Sequence, residues 1–176
     1  PYTTLFRSGS LEAFIQAKKQ GKVRHIGFTG HHDPTVHLKL LRGFDGWETI
    51  QMPINLVDPH YESFIRNVLP VARKMGLGVI AMKSNAMGAI TRNGVAQIEE
   101  CLRFTLGQDI DTLVSGVETV AQLEANVLTV KTQQGFTDAE VSTILERTKK
   151  GPVGTKVENY KKGASAARLH RDGERG

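Results

Sequence analysis

The sequence predicts an α/β fold built on parallel strands, and three observations carry that prediction. Four short apolar stretches begin near residues 23, 48, 77 and 111; a segment with helical periodicity follows each; and Gly, Pro or Asp residues punctuate the joins. Strand–helix–strand alternation calls for right-handed crossovers between parallel strands. Stretches this short and this apolar read as strands covered on both faces. Two architectures satisfy the pattern: an open doubly wound sheet, or part of a (β/α)8 barrel, which in full needs roughly 250 residues. Periodicity alone does not choose between them.

The elements follow in order. Leu11, Phe14 and Ile15 mark an amphipathic helix from Ser10 to Gln20, with Gly21 as its C-cap. Residues 22–28 form the first strand, ending at Thr29-Gly30. Asp33-Pro34 reads as N-cap and first helical residue, with Leu38, Leu40 and Leu41 as the apolar face and Gly43 as the stop. Residues 47–54 are the second strand. Tyr61 to Met75 is a longer helix that Pro70 should interrupt. Leu77–Met82 is the third strand. A loop through Gly88 and Gly94 leads to a helix over Val95–Leu106, and Asp111–Ser115 is the fourth strand. Thr119–Thr132 is a helix with Val120, Leu123, Val127 and Val130 as its stripe. Thr137-Asp-Ala-Glu140 is a capping-box pattern opening a last helix to Lys149.

Composition narrows the function classes. Of 176 residues, 39% are hydrophobic and 23% charged, the profile of a globular chain rather than a disordered one. No apolar run of about 18 residues is present, so nothing spans a bilayer as a helix. A lone cysteine, Cys101, excludes an internal disulfide framework and a Cys-rich zinc site. The net charge of +5 suggests a polyanion partner only until it is located. Arg147 onward carries nine Lys and Arg against three Asp and Glu, so the preceding body is nearly neutral. Residues 151–176 therefore read as a basic flexible tail, with no nucleic acid or membrane partner. His31-His32-Asp33 reads as a helix entry, not a metal site, because adjacent imidazoles point apart. Neither a Walker A sequence nor a Gly-x-Gly-x-x-Gly after a strand occurs.

Four segments in order resemble the second half of an aldo-keto reductase. They are Gly21-Lys-Val-Arg-His-Ile-Gly-Phe-Thr-Gly-His31, Ile50-Gln-Met-Pro-Ile-Asn55, Gly76-Leu-Gly-Val-Ile-Ala-Met-Lys83 and Val114-Ser-Gly-Val-Glu-Thr-Val-Ala-Gln-Leu-Glu-Ala-Asn126. The resemblance implies a partial TIM barrel: strands five to eight, about four C-terminal β/α units, then a C-terminal helix and tail. It also implies hydride transfer between NAD or NADP and a carbonyl or alcohol, with the cofactor extended across the C-terminal ends of the strands.

The resemblance carries over residue by residue. Thr29 and Gly30 fall where the family has a Ser-Asn pair on the nicotinamide carboxamide; Thr29 keeps the hydroxyl and Gly30 lacks the amide. Gln51 falls on the carboxamide-binding glutamine, and its donor and acceptor suit that role. Met82 replaces a ring-stacking aromatic with a thioether that can cover the same face. Lys83 stands at the strand exit, where an ammonium would meet pyrophosphate, and Ser84–Gly88 resembles the phosphate-side loop. Gly116, Glu118, Gln122 and Asn126 would line the adenosine half. Where NADP-using members carry Lys and Arg, this chain has Gly116, Gln122 and the acidic Glu118, which favours NAD over NADP.

By the same resemblance, the family's catalytic tyrosine, lysine, aspartate and histidine come from the first four strands, so none is assigned here. The chain is expected to be a fragment, inactive by itself, needing cofactor and a small carbonyl substrate in the full-length protein. It is also expected to self-associate through open strand edges. A non-catalytic, redox-sensing nucleotide-binding module and an unrelated complete open-sheet domain are the alternatives. Residues 1–8 resemble a translated sequencing adaptor, residues 9–150 form the half barrel, and cytoplasmic localisation follows from where the cofactor resides.

Overall fold

The computed structural model describes residues 9–132 and 135–161. Its order is α1 (Ser10–Lys19), β1 (Gly27–Thr29), α2 (Pro34–Gly43), β2 (Thr49–Pro53), α3 (Phe64–Asn67), α4 (Leu69–Lys74), β3 (Gly78–Met82), α5 (Ala89–Arg92), α6 (Ile98–Leu106), β4 (Thr112–Val114), α7 (Val120–Thr132) and α8 (Asp138–Lys149). Short 3-10 turns cover Asp58–His60, Ala86–Gly88, Gly154–Lys156 and Asn159–Lys161. The predicted long helix is two, α3 and α4, broken at Val68 with Pro70 in the first turn of the second, as a missing amide donor requires. Thr137 and Glu140 close a reciprocal capping box ahead of α8. Asp33 caps α2, accepting from the Thr35 amide at 2.7 Å.

All four strands are parallel, in the spatial order β1-β2-β3-β4. That order discriminates between the two architectures. A doubly wound sheet reverses its strand order at a switch point and carries helices on both faces, whereas consecutive strands laid side by side are the barrel pattern. The buried apolar layer joins Ile50 and Met52 of β2 and Val79 and Ala81 of β3 to Leu41, Phe64, Val68 and Ala72 of the helices. Strand side chains alternate, so the opposite face presents Gly27, Thr49 and Gly78, then Thr29, Gln51, Ile80 and Thr112, then Pro53, Met82 and Val114, in register. These rows are layers of a barrel interior laid open. The chain is a partial (β/α)8 barrel, and the complete open-sheet alternative is set aside.

Glycine at 27 is dictated by that packing. A Cβ there would lie 2.0 Å from the Thr49 hydroxyl and 2.4 Å from its carbonyl oxygen, so the layer reads small–large–small across Gly27, Thr49 and Gly78.

Two expectations need correction. The α7 stripe faces outward: Val120, Leu123, Val127 and Val130 are exposed, and Thr129 is the buried residue of that helix. A barrel helix beds on its own strand and the next, and no described strand lies beyond β4. Residues 151–161 are not flexible tail. Gly154, Val157, Glu158, Tyr160 and Lys161 are buried, and Val157 and Tyr160 belong to a second core with Leu56, Ile90, Phe104 and Ile144. Residues 162–176 and 1–8 lie outside the described residues.

Candidate functional site

The C-terminal ends of the strands form one rim, and in barrels this end carries the site. Thr29 pairs in register with Gln51, and Gln51 with Ile80, so the hydroxyl and the amide share a row on the uncovered face. The Gln51 side chain has no hydrogen-bond partner among the described residues. Its backbone carbonyl accepts from the Gly30 amide at 3.4 Å and faces His37 Nε2 at 3.5 Å. Met82 lies one layer nearer the rim, in register with Pro53 and Val114.

Gly30 has a local cause. A Cβ there would stand 2.6 Å from His37 Cε1, so the buried imidazole occupies the space that a side chain would need. His37 packs edge-on against Phe64, with ring centroids 4.9 Å apart. Burial lowers its pKa to about 4, against hydrogen bonding that raises it, so the ring is neutral at pH 7.

The strand exit after β3 is strained. Lys83, Ala86 and Met87 all have left-handed backbone, with φ of 58°, 45° and 59°; non-glycine residues there carry a cost that clusters at functional loops. Lys83 Nζ lies 4.0 Å from the centroid of the Tyr160 ring. Burial lowers its pKa, and the nearby Glu158 charge opposes that.

Tyr160 ties three strand ends together. Its carbonyl accepts from the His32 ring after β1, its hydroxyl accepts from Asn55 Nδ2 after β2 at 3.1 Å, and its face carries Lys83 after β3. The hydroxyl donates to Glu158 Oε1 at 2.7 Å. Burial and the Glu158 charge push the phenol far above its ordinary pKa, which makes it a poor proton donor. Beneath it, Lys161 Nζ lies 2.8 Å from both Asp58 Oδ1 and Glu158 Oε2, with all three side chains fully buried. Asp58 also accepts from Ser63 Oγ and from the amides of Phe64 and Ile65. Sequence reading missed this cluster. Its signals were Asn55 and Asp58 immediately past a strand end, and one aromatic in a polar tail.

Of the four residues expected on the adenosine side, Gly116 and Glu118 lie on the loop from β4 to α7, and Gln122 and Asn126 lie on α7 and bond back to that loop. Gln122 Oε1 accepts from the Glu118 amide at 2.7 Å, and Asn126 Nδ2 donates to Ser115 Oγ at 3.2 Å. Gly116 and Glu118 are exposed, and a Cβ at Gly116 would meet open space. The donor set therefore fits a nicotinamide carboxamide at Thr29 and Gln51, and an anion at Lys83. At the far end Gln122 and Asn126 shape the loop rather than reach outward. Buried Cys101 has its pKa raised to about 12 by burial, an inert thiol. Among the described residues no group of His, Cys, Asp and Glu could hold a metal, and no helix is long and apolar enough to cross a membrane.

Comparison with known proteins agrees with the strand order. The family model described as "Aldo/keto reductase family" matches residues 8–100, just over half of the chain. The aldo-keto reductase AKR11C1 from Bacillus halodurans in its holo form is similar, with TM-score 0.60 and 20% identity over 84% of this chain and 57% of that one. Its apo form gives 0.59 and 20% over 84% and 58%. The thermostable aldo-keto reductase Tm1743, in complex with the inhibitor epalrestat, gives 0.57 and 16% over 78% and 53%. The chain thus spans less than two thirds of the solved structures it matches. No protein of curated function matches.

Proposed function

Because this chain belongs to the aldo/keto reductase family, we propose that it is the C-terminal, cofactor-gripping half of a reductase moving hydride between nicotinamide and a small carbonyl or alcohol. The observation that carries this reading is the Gln51 amide, without a partner among the described residues, beside Thr29 on the face of the sheet that no described helix covers. A carboxamide needs one donor and one acceptor side by side, and these two side chains offer both. When bound, the cofactor would supply the hydride chemistry. The chain's own share is to hold the carboxamide at Thr29 and Gln51, cover a ring face with Met82, and present Lys83 to the diphosphate.

NAD is favoured over NADP. Exposed Glu118 repels a 2′-phosphate and can accept from a ribose hydroxyl. The tyrosine, lysine, aspartate and histidine of the reaction would lie in the other half, so the chain by itself turns over nothing, and its open β1 and β4 edges favour self-association. A cytoplasmic site fits the cofactor. Calorimetric titration with NAD and NADP tests the reading, with saturable binding and tighter NAD as the result it requires. NADH oxidation with several aldehydes should stay at background.

A further inference from the structure

We propose that Tyr160 is a positioning residue for Lys83: held from the ends of β1 and β2, its ring keeps the ammonium at the rim where a dinucleotide diphosphate arrives. This rests on the cofactor reading above and adds a residue from a segment that the sequence presented as tail. Lys83 leaves β3 through a left-handed residue, so its direction is not fixed by strand alternation and needs another support. That support is the Tyr160 face, 4.0 Å away. A cation on an aromatic face keeps its charge and its donors on the outer side, which suits an ammonium awaiting phosphate oxygens.

The ring itself cannot swing. Asn55 and Glu158 hold its hydroxyl at 3.1 and 2.7 Å, and its carbonyl bonds the His32 ring. The next residue, Lys161, is locked between Asp58 and Glu158. A long, flexible side chain is thereby given a rigid platform, which lowers the ordering cost of binding. The stack also has a direct spectroscopic signature, because protons over a ring face resonate upfield.

The test uses the full chain with Tyr160→Phe, Tyr160→Leu and Lys83→Met, reading NAD affinity by calorimetry at low and high salt and the Lys83 Hε resonances by NMR. Tyr160→Phe keeps the ring face but loses both hydroxyl bonds, and its affinity should fall between that of the parent and that of Tyr160→Leu. Tyr160→Leu should weaken NAD by about five- to tenfold, flatten its salt dependence and lose the upfield shift. Lys83→Met should do the same to affinity, and the Tyr160→Leu/Lys83→Met double variant should be no worse than Lys83→Met alone. In the unsubstituted chain, inorganic pyrophosphate should move the Lys83 resonances, a readout that survives if the leucine variant fails to fold. Unshifted Lys83 protons in the parent, or Tyr160→Leu binding as tightly as the parent while Lys83→Met is weakened, overturns the role of Tyr160 and leaves the cofactor reading standing. Absence of NAD binding by the parent, or full affinity in Lys83→Met, overturns the cofactor assignment of Lys83 and this role with it.

Discussion

Thr29 and Gln51 are register partners on adjacent parallel strands, and both point to the side of the sheet that no helix covers. Their hydroxyl and amide form a pair that no described residue bonds. Asn55, Asp58, Glu158, Tyr160 and Lys161, by contrast, are bonded to one another. The contrast separates residues that hold the fold from residues left facing outward.

Gly30 belongs to the first group. Gly30→Asn, which restores the amide that the family carries there, should destabilise the chain by about 1–3 kcal/mol because its Cβ meets the His37 ring. Adding His37→Ala should recover part of that loss. Urea midpoints for the single and double variants check this, and an unchanged midpoint for Gly30→Asn contradicts it.

Lys161 is an anchor. Lys161→Met leaves Asp58 and Glu158 buried without their cation and should cost about 3–5 kcal/mol. The exposed Lys150→Met should stay within about 0.5 kcal/mol. Equal melting curves for the two variants would mean that the segment after α8 is not docked.

His37 imposes a pH dependence. Its pKa falls from 6.5 to about 4 on folding, so between those values the unfolded chain binds a proton that the native chain refuses. Its neutral form therefore costs nothing above pH 6.5, and stability declines as pH falls toward 4, by about 3 kcal/mol in all. His37→Leu should flatten that slope. Stability differences between parent and variant at pH 7 and pH 4.5 measure it, and a constant difference would refute the assignment.

The outward face of α7 predicts association. Val120, Leu123, Val127, Leu128 and Val130 are exposed along one 13-residue helix, a patch of the kind that soluble monomers avoid. Light scattering after size exclusion should give a mass above the monomer, and Leu123→Lys with Leu128→Lys should return it to monomer. A monomeric parent at high concentration rules this out.

What was legible in the sequence follows from how locally each feature is encoded. The break at Pro70, the capping box at Thr137 and Glu140 and the Asp33 cap depend on neighbours within four residues, and spacing reveals them. The parallel alternation was readable; periodicity left barrel and open sheet both standing, the family resemblance implied the barrel, and the strand order agrees with it. Lys161 read as a solvated tail charge because its partner Asp58 lies about a hundred positions away. The α7 stripe was legible as periodicity, but periodicity names an apolar face without naming its cover, and this one is exposed. Gln122 and Asn126 were expected on the face of the helix after β4, where they lie, but their hydrogen bonds go back to the preceding loop. Trp47, buried before β2 with its indole bonded to the Leu40 carbonyl at 2.9 Å, sits at the far end of its strand and would report poorly on the rim.

Gln51→Leu is the most direct test of the central claim that this open face grips a nicotinamide. The Gln51 amide has no partner within the described chain, so thermal stability should hold within about 0.5 kcal/mol, while NAD affinity measured by calorimetry falls by about tenfold or more as the carboxamide loses its partner. Undiminished NAD affinity in a folded Gln51→Leu chain would contradict the account.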